Sequence, residues 1–235
     1  MVNSESSMVN GEWAMGNADR RLVQENKQSA IVRFFAHLFS YLFHPLFIPI
    51  YVTWFLVFVH TTYFVGYGHG QKLFMLARMT LNMVFFPLIT VLLLKGLGFI
   101  QSIFLRTQKD RIIPYIASGI FFFWAYLVFR KQPEVPSIMT VFTFAVFISS
   151  SAALIANIYF KISMHAIGMG GVIGLFLVIM RQDNFLMTVP LSIAFLLTGI
   201  VCTSRMIVSD HTPKEIYAGL VMGIVCQLVA AVMYL

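Results

Sequence analysis

Long apolar stretches separated by short polar segments make up most of the chain after residue 32. Seven stretches approach or exceed the roughly 20 apolar residues that a helix needs to cross the hydrocarbon core of a bilayer. They are Leu38–Val59, Leu73–Leu94, Pro114–Arg130, Ser137–Phe160, Ala166–Met180, Phe185–Thr203 and Ile216–Leu235. The pattern predicts an all-α fold, a polytopic transmembrane helix bundle with about six to seven spanning helices.

The composition agrees with a membrane protein. Hydrophobic residues make up 59% of the chain and charged residues 11%, against about 45–50% and about 25% in soluble domains. Residues 1–32 are polar and predict a disordered tail, followed by a membrane-embedded domain over residues 33–235. The net charge of +7 comes from basic residues scattered over short loops, which favours anionic lipid as a partner and argues against nucleic acid.

Three polar clusters follow one another along the chain: "RTQKDR" (106–111), in the polar loop of residues 95–111, then "KISMH" (161–165), then "SRMIVSDHTPKE" (204–215). Two predicted spans separate each cluster from the next. All three clusters therefore emerge on the same face of the membrane. Together they supply six cations, two histidines and three carboxylates: Arg106, Lys109, Arg111, Lys161, Arg205, Lys214, His165, His211, Asp110, Asp210 and Glu215.

Such a set of side chains suits the chemistry of a phosphate ester. Arginine and lysine neutralise the non-bridging oxygens of phosphate. One histidine can attack phosphorus while another protonates the departing alkoxide. A carboxylate beside the attacking histidine can set its tautomer and stabilise its charged form.

The clusters also resemble the signatures of a known family. "SRMIVSDHTPKE" reads S-R-x5-H-x3-E, which resembles the third signature, S-R-x5-H-x3-D, of the type 2 phosphatidic acid phosphatase superfamily. "KISMH" is similar to the second signature, P-S-G-H, and "RTQKDRIIP" to the first, K-x6-R-P. The resemblance extends over roughly residues 95 to 225.

This resemblance implies a lipid phosphate phosphatase that works through a phosphohistidine, without a metal or other cofactor. His211 corresponds to the nucleophile, Glu215 to the carboxylate that holds it, and His165 to the general acid. Phosphate ligands are expected among the cations and serines of the clusters: Arg205, Arg106, Arg111, Lys109, Lys161, Ser163 and Ser204. The implied substrates are phosphatidic acid, phosphatidylglycerophosphate or a polyprenyl phosphate.

The sequence departs from the family pattern at several positions. Ile113 stands where the first signature has its arginine, and Arg106 replaces the lysine; Arg111 is a candidate substitute for the lost cation. In the second signature, Ile162 replaces proline and Met164 replaces glycine. These departures keep two alternatives open: a lipid phosphotransferase on the same scaffold, or a catalytically silent membrane protein that binds anionic lipid or acts as a scaffold.

Several of these residues also have structural interpretations. "TPKE" matches a helix capping box with Thr212 at the N-cap and Glu215 at the third helical position. Arg205, Lys109 and Arg111 could anchor the chain at the lipid headgroups. Histidines near the first span, including His44, are expected to be packing or interface residues. The pairs Gly170-x3-Gly174 and Gly219-x3-Gly223 predict close contacts between helices.

The chain is therefore expected to be a multi-pass integral membrane protein, such as one of a bacterial inner membrane. Positively charged residues are enriched on cytoplasmic loops. Apart from the six cations of the clusters, the two faces carry equal numbers of Lys and Arg. The basic N-terminal tail then favours a cytoplasmic position for the face that carries the three clusters.

Overall fold

The computed structural model describes residues 29–100, 108–182, 186–208 and 211–234, and within them all regular secondary structure is helical. Six helical segments are long and apolar enough to cross a membrane. The expected all-α, multi-pass architecture is confirmed. The α-helices, numbered in chain order, are α1 (Ala30–Leu42), α2 (Ile48–Trp54), α3 (His69–Thr80), α4 (Phe86–Gly96), α5 (Gln108–Arg130), α6 (Ser137–Tyr159), α7 (Met164–Gln182), α8 (Thr188–Val208) and α9 (Pro213–Tyr234).

The first predicted span, Leu38–Val59, is wrong, because this part of the chain forms two short helices. Helix α1 ends at Leu42, and α2 begins at Ile48 and continues as a π-helical turn to Val59. The break follows from proline: Pro45 disfavours helical backbone at the residue before it, and Pro49 opens α2. Helix α1 has 13 residues and so is about 20 Å long, which is too short to span a core of about 30 Å.

The second predicted span, Leu73–Leu94, is part of one continuous helical segment from His69 to Gly96. Helices α3 and α4 are joined there by a single π-helical turn, Leu81–Phe85. The remaining five spans begin or end within a few residues of the predicted boundaries.

Helix α7 lies at the centre of the bundle and packs most extensively against α9. Glycines make this approach possible, as the sequence predicted. A Cβ atom added at Gly170 would overlap the carbonyl group of Leu220, and one added at Gly223 would overlap that of Ile167. A Cβ at Gly219 would lie 2.8 Å from the carbonyl oxygen of Ser163. These contacts hold the beginning of α9 against the beginning of α7.

The polar connections meet at one end of the bundle, where α5, α7 and α9 begin and α6 and α8 end. The start of α5 is joined to the end of α6 by two reciprocal hydrogen bonds. The side-chain amide of Gln108 donates to the backbone carbonyl oxygen of Asn157, and the side-chain amide of Asn157 donates to the backbone carbonyl oxygen of Gln108, each at 2.9 Å. This end of the bundle carries the described residues of all three polar clusters.

Candidate functional site

His211 lies immediately before α9 and is buried, with 9% of its surface exposed. Its Nδ1 is 2.9 Å from the carbonyl oxygen of Lys161 and 3.3 Å from Oε2 of Glu215. Both of these oxygens can only accept a hydrogen bond, so Nδ1 carries the proton of the neutral ring. Nε2 is then unprotonated and keeps its lone pair, which is the form that a nucleophilic histidine requires.

Glu215 takes part in the helix cap and in the histidine contact at the same time. Its Oε2 accepts a hydrogen bond from the Thr212 backbone N–H at 2.8 Å, and its own N–H lies 3.4 Å from Oγ1 of Thr212. These are the two reciprocal contacts of a capping box. The same Oε2 reaches His211, so the cap holds the carboxylate at the position from which it orients the imidazole.

Cations from three elements act electrostatically on His211. Arg111 on α5 donates from its guanidinium group to the carbonyl oxygen of Ile162 at 3.2 Å, Arg205 lies in the last turn of α8, and Lys161 lies in the connection before α7. Burial, then the charges of Arg111 and Arg205, lower the pKa of His211 from 6.5 to about 4, although the carboxylate of Glu215 acts in the opposite direction. His211 is therefore neutral at physiological pH.

His165 lies at the second position of α7 and is 8% exposed. Its Nε2 is 3.0 Å from the carbonyl oxygen of Ser40, and because a carbonyl can only accept, Nε2 carries the proton. The lone pair of neutral His165 is therefore on Nδ1. Arg205 and His211 both lie within electrostatic range of this ring.

His44, which the sequence analysis treated as a packing or interface residue, lies against His165. The two ring centroids are 5.3 Å apart and the ring planes are at 85°. His44 lies in the break between α1 and α2, so the segment that was predicted to be the first span contributes a residue next to His165 instead. Pro45 is the sequence signal that marks this break.

The two predicted serines are buried beside the histidines and differ in their hydrogen bonding. Ser204 donates to the carbonyl oxygen of Ile200, one turn earlier in α8, at 2.8 Å. The Oγ atom of Ser163 is fully buried and has no hydrogen-bond partner among the described residues. Of the two, Ser163 is the one whose hydroxyl proton is not donated to another group among the described residues.

Arg111 and Ile113 face different surroundings. Ile113, at the position of the family arginine, is 41% exposed. Two residues on a helix are separated by about 200°, so with Arg111 directed to Ile162 the side chain of Ile113 points away from the site. This geometry favours Arg111 as the substitute cation. Arg106, Asp210 and the side chain of Lys109 lie outside the described residues.

The helix directions add to the positive character of the site. Helices α5, α7 and α9 all begin at this end. The N-terminus of a helix carries a partial positive charge and unpaired N–H groups, which favour anions. Within the described parts of the chain, no group of three or more His, Cys, Asp or Glu side chains is arranged to hold a metal ion. The cationic side chains and the helix N-termini at this end are the groups that favour an anion.

Comparisons with known proteins do not assign the chain to a family. No family model, no curated protein and no solved structure matches the chain. The resemblance to phosphatidic acid phosphatases therefore stays a prediction from three short motifs.

Proposed function

We propose that this chain is an integral membrane phosphatase that hydrolyses a lipid phosphate through a phosphohistidine intermediate. The observation that carries the proposal is the orientation of His211. Its Nδ1–H is directed to Lys161 and Glu215, which leaves Nε2 as a neutral nucleophile beside Arg111, Arg205 and Lys161. Each of these cations is a suitable ligand for phosphate oxygens.

In the first step, Nε2 of His211 forms a bond to phosphorus, and the bond from phosphorus to the ester oxygen breaks. The substrate enters as the phosphate monoanion, whose proton passes to Nδ1 of neutral His165, and His165 delivers this proton to the departing alkoxide. Because Nε2–H of His165 donates to Ser40, the proton that it transfers is the one on Nδ1. The carboxylate of Glu215 stabilises the charge that develops on His211.

In the second step, neutral His165 removes a proton from water, and the water oxygen attacks phosphorus. The nitrogen–phosphorus bond breaks, its electron pair returns to Nε2 of His211, and inorganic phosphate is released. Arg111, Arg205 and Lys161 neutralise the phosphate oxygens in both steps, which is how positioned cations lower the barrier of phosphoryl transfer.

A groove next to the site supports a lipid rather than a soluble substrate. It has a volume of about 650 Å³ and lies along α6 and α9, lined by Ala152, Tyr217, Ala218, Val221, Met222, Val225 and Cys226. The α9 residues that line it extend over about 14 Å, from Tyr217 to Cys226, and Ala218 lies about one helical turn after Glu215 on the same side of the helix. Its residues are almost all apolar, so an acyl or isoprenyl chain fits it while the phosphate lies at His211.

The proposal is tested by measuring inorganic phosphate release from a panel of lipid phosphates with detergent-purified protein. The panel contains phosphatidic acid, phosphatidylglycerophosphate and a polyprenyl phosphate. We expect His211→Ala to abolish release, since the nucleophile is lost. His69→Ala is the matched control: His69 is exposed at the start of α3, in the loop predicted for the opposite membrane face, and its loss should leave the rate near wild type.

Equal loss of activity in the two variants would contradict the site assignment. Absence of release from every lipid by folded wild-type protein would contradict the phosphatase itself. In that case, transfer of phosphate to an added alcohol would identify a phosphotransferase, and binding without turnover would identify a silent lipid-binding protein.

A further inference from the structure

The segment between α1 and α2 contacts His165 from two directions. The carbonyl oxygen of Ser40, near the end of α1, accepts the Nε2–H of His165 at 3.0 Å. Four residues later, the ring of His44 packs edge-to-face against the same imidazole, with the ring centroids 5.3 Å apart. Ser40 and His165 are both buried, so the contact between them is shielded from solvent.

His44 is itself held in place by the turn that Pro45 creates. Its Nδ1 accepts a hydrogen bond from the Leu46 N–H at 3.3 Å, which leaves the proton of the neutral ring on Nε2. The turn is closed on its other side by Tyr51, whose hydroxyl donates to the carbonyl oxygen of Leu42 at 2.8 Å. Because these hydrogen bonds fix both the backbone turn and the ring of His44, the ring offers a fixed packing surface to His165.

We propose that His44 is a positioning residue of the site, which holds the ring of His165 so that Nε2–H meets Ser40 and Nδ1 is left for the phosphate ester. A single hydrogen bond to a carbonyl oxygen leaves an imidazole free to rotate about that bond. The edge-to-face contact with His44 removes this freedom. The part of the inference that concerns turnover rests on the proposed phosphatase function, whereas the orientation of His165 does not.

Two substitutions of His44 distinguish the packing contact of its ring from the effect of its nitrogen atoms. His44→Ala removes the contact, and His44→Phe keeps an aromatic ring at the same place without nitrogen atoms. His37→Ala is the matched control, because His37 lies on α1, is exposed, and stacks on Tyr41 rather than on His165. Size-exclusion chromatography and thermal unfolding in detergent establish that each variant is folded.

The first readout is the tautomer of His165, measured by NMR on protein with ¹⁵N-labelled histidine. We expect the wild type, His44→Phe and His37→Ala to show protonated Nε2 and unprotonated Nδ1, and His44→Ala to show a mixture of tautomers. A pure wild-type pattern for His165 in His44→Ala would overturn the proposal, whether or not the protein is an enzyme.

The second readout is hydrolysis of phosphatidic acid in detergent micelles. Since a misplaced catalytic group slows the chemical step, we expect kcat of His44→Ala to fall by about 10- to 100-fold with KM changed by less than about threefold. His44→Phe should recover most of kcat. Equal loss in both variants would overturn a positioning role based on the ring contact.

The two readouts distinguish this inference from the proposed function. Wild-type protein that releases no phosphate from any lipid in the panel, but shows the expected response of His165 to His44→Ala, would contradict the phosphatase and support the positioning contact. Wild-type protein that hydrolyses phosphatidic acid and is unaffected by His44→Ala in both readouts would support the phosphatase and overturn the inference.

Discussion

The chemistry available to His211 depends on which of its ring nitrogens carries the proton. A carbonyl oxygen and a carboxylate oxygen both approach Nδ1, so the lone pair is on Nε2. Burial and the nearby guanidinium groups then lower the pKa of His211 to about 4, which keeps the ring neutral over most of the physiological range. In the proposed function the same cations serve two purposes: they would bind phosphate, and they keep the ring of His211 unprotonated.

The first prediction concerns the pH dependence. A cation disfavours the charged imidazolium, so removing one makes protonation easier and raises the pKa of His211. We expect Arg111→Met to move the acidic limb of the kcat/KM profile to higher pH and, through the lost phosphate contact, to lower its plateau by about 10- to 100-fold. NMR titration of His211 and the pH–rate profile measure the two effects.

Arg181→Met is the control for this experiment, because Arg181 lies exposed in the last turn of α7, at the far end of the bundle. It should change neither the titration of His211 nor the rate. A pKa of His211 that is unchanged in Arg111→Met would contradict the electrostatic account.

The second prediction separates the two roles of Glu215. Glu215→Gln keeps an oxygen that accepts the Thr212 N–H but removes the negative charge beside His211, so we expect stability near wild type and a loss in kcat of about 100-fold or more. Thr212→Val removes the cap hydroxyl and should cost about 1 kcal/mol of stability with kcat retained. If Glu215→Gln keeps full activity, the carboxylate serves only as a cap.

At the scale of helices, the site depends on the close approach of α7 and α9. His165 is at the start of α7 and His211 immediately precedes α9, and the glycine contacts set the distance between these two helix ends. The connection between α1 and α2 then reaches the same place from outside the α7–α9 pair.

The third prediction tests this packing. In Gly223→Ala the new Cβ would overlap the backbone carbonyl of Ile167, so the helices must move apart, at a cost of about 1 to 3 kcal/mol. Because Ile167 is two residues from His165, phosphate release should fall as well. Thermal unfolding in detergent and the release assay measure both consequences.

Gly171→Ala is the matched control on α7, since a Cβ there would have no atom within 4 Å. Replacing a helical glycine by alanine at an open position should be neutral or stabilise by about 0.5 to 1 kcal/mol. Similar destabilisation of the two variants would mean that the close contact of Gly223 does not control the packing.

At the scale of the whole molecule, a polar end and an apolar groove lie next to each other. On α9 the groove starts about one helical turn after Glu215 and continues along α6 and α9, a direction that takes it from the cationic end into the membrane-spanning part. In the proposed function, an amphipathic substrate would use both surfaces in one orientation, with its charged group at the histidines and its chain among apolar side chains.

The fourth prediction tests the groove. Ala218→Phe would fill it, and we expect kcat/KM for a long-chain phosphatidic acid to fall by about tenfold, since apolar contacts of this size are worth about 1 to 3 kcal/mol. A short-chain analogue should be hydrolysed almost normally. Ala77→Phe is the control, because Ala77 lines a separate apolar groove on α3. Equal loss for both chain lengths in Ala218→Phe would contradict a role in chain binding.

Sequence patterns within single segments predicted the features that depend on those segments alone. The apolar lengths predicted the spanning helices, and the small-residue spacing predicted the contacts of Gly170 and Gly223. The prediction of the first span was wrong because it used hydropathy, which is high throughout Leu38–Val59 and does not show a break. The break is at Pro45, which restricts the backbone of the residue before it. The contacts that orient the candidate site could not be predicted, because several are made by backbone carbonyl groups, such as those of Ser40 and Lys161, which every sequence contains.

The sequence by itself determined that the chain is a multi-pass helical membrane protein, with histidines, cations and carboxylates in three clusters that lie an even number of spans apart. Apolar length and helix count are enough for this, because burial in lipid and closure of backbone hydrogen bonds within each helix are local requirements. Only the tertiary structure decided that Arg111 rather than Ile113 faces the site, that Glu215 caps α9 and also reaches His211, and that His44 contacts His165. These depend on how helices rotate and pack against one another, and packing joins residues more than 100 positions apart in the chain.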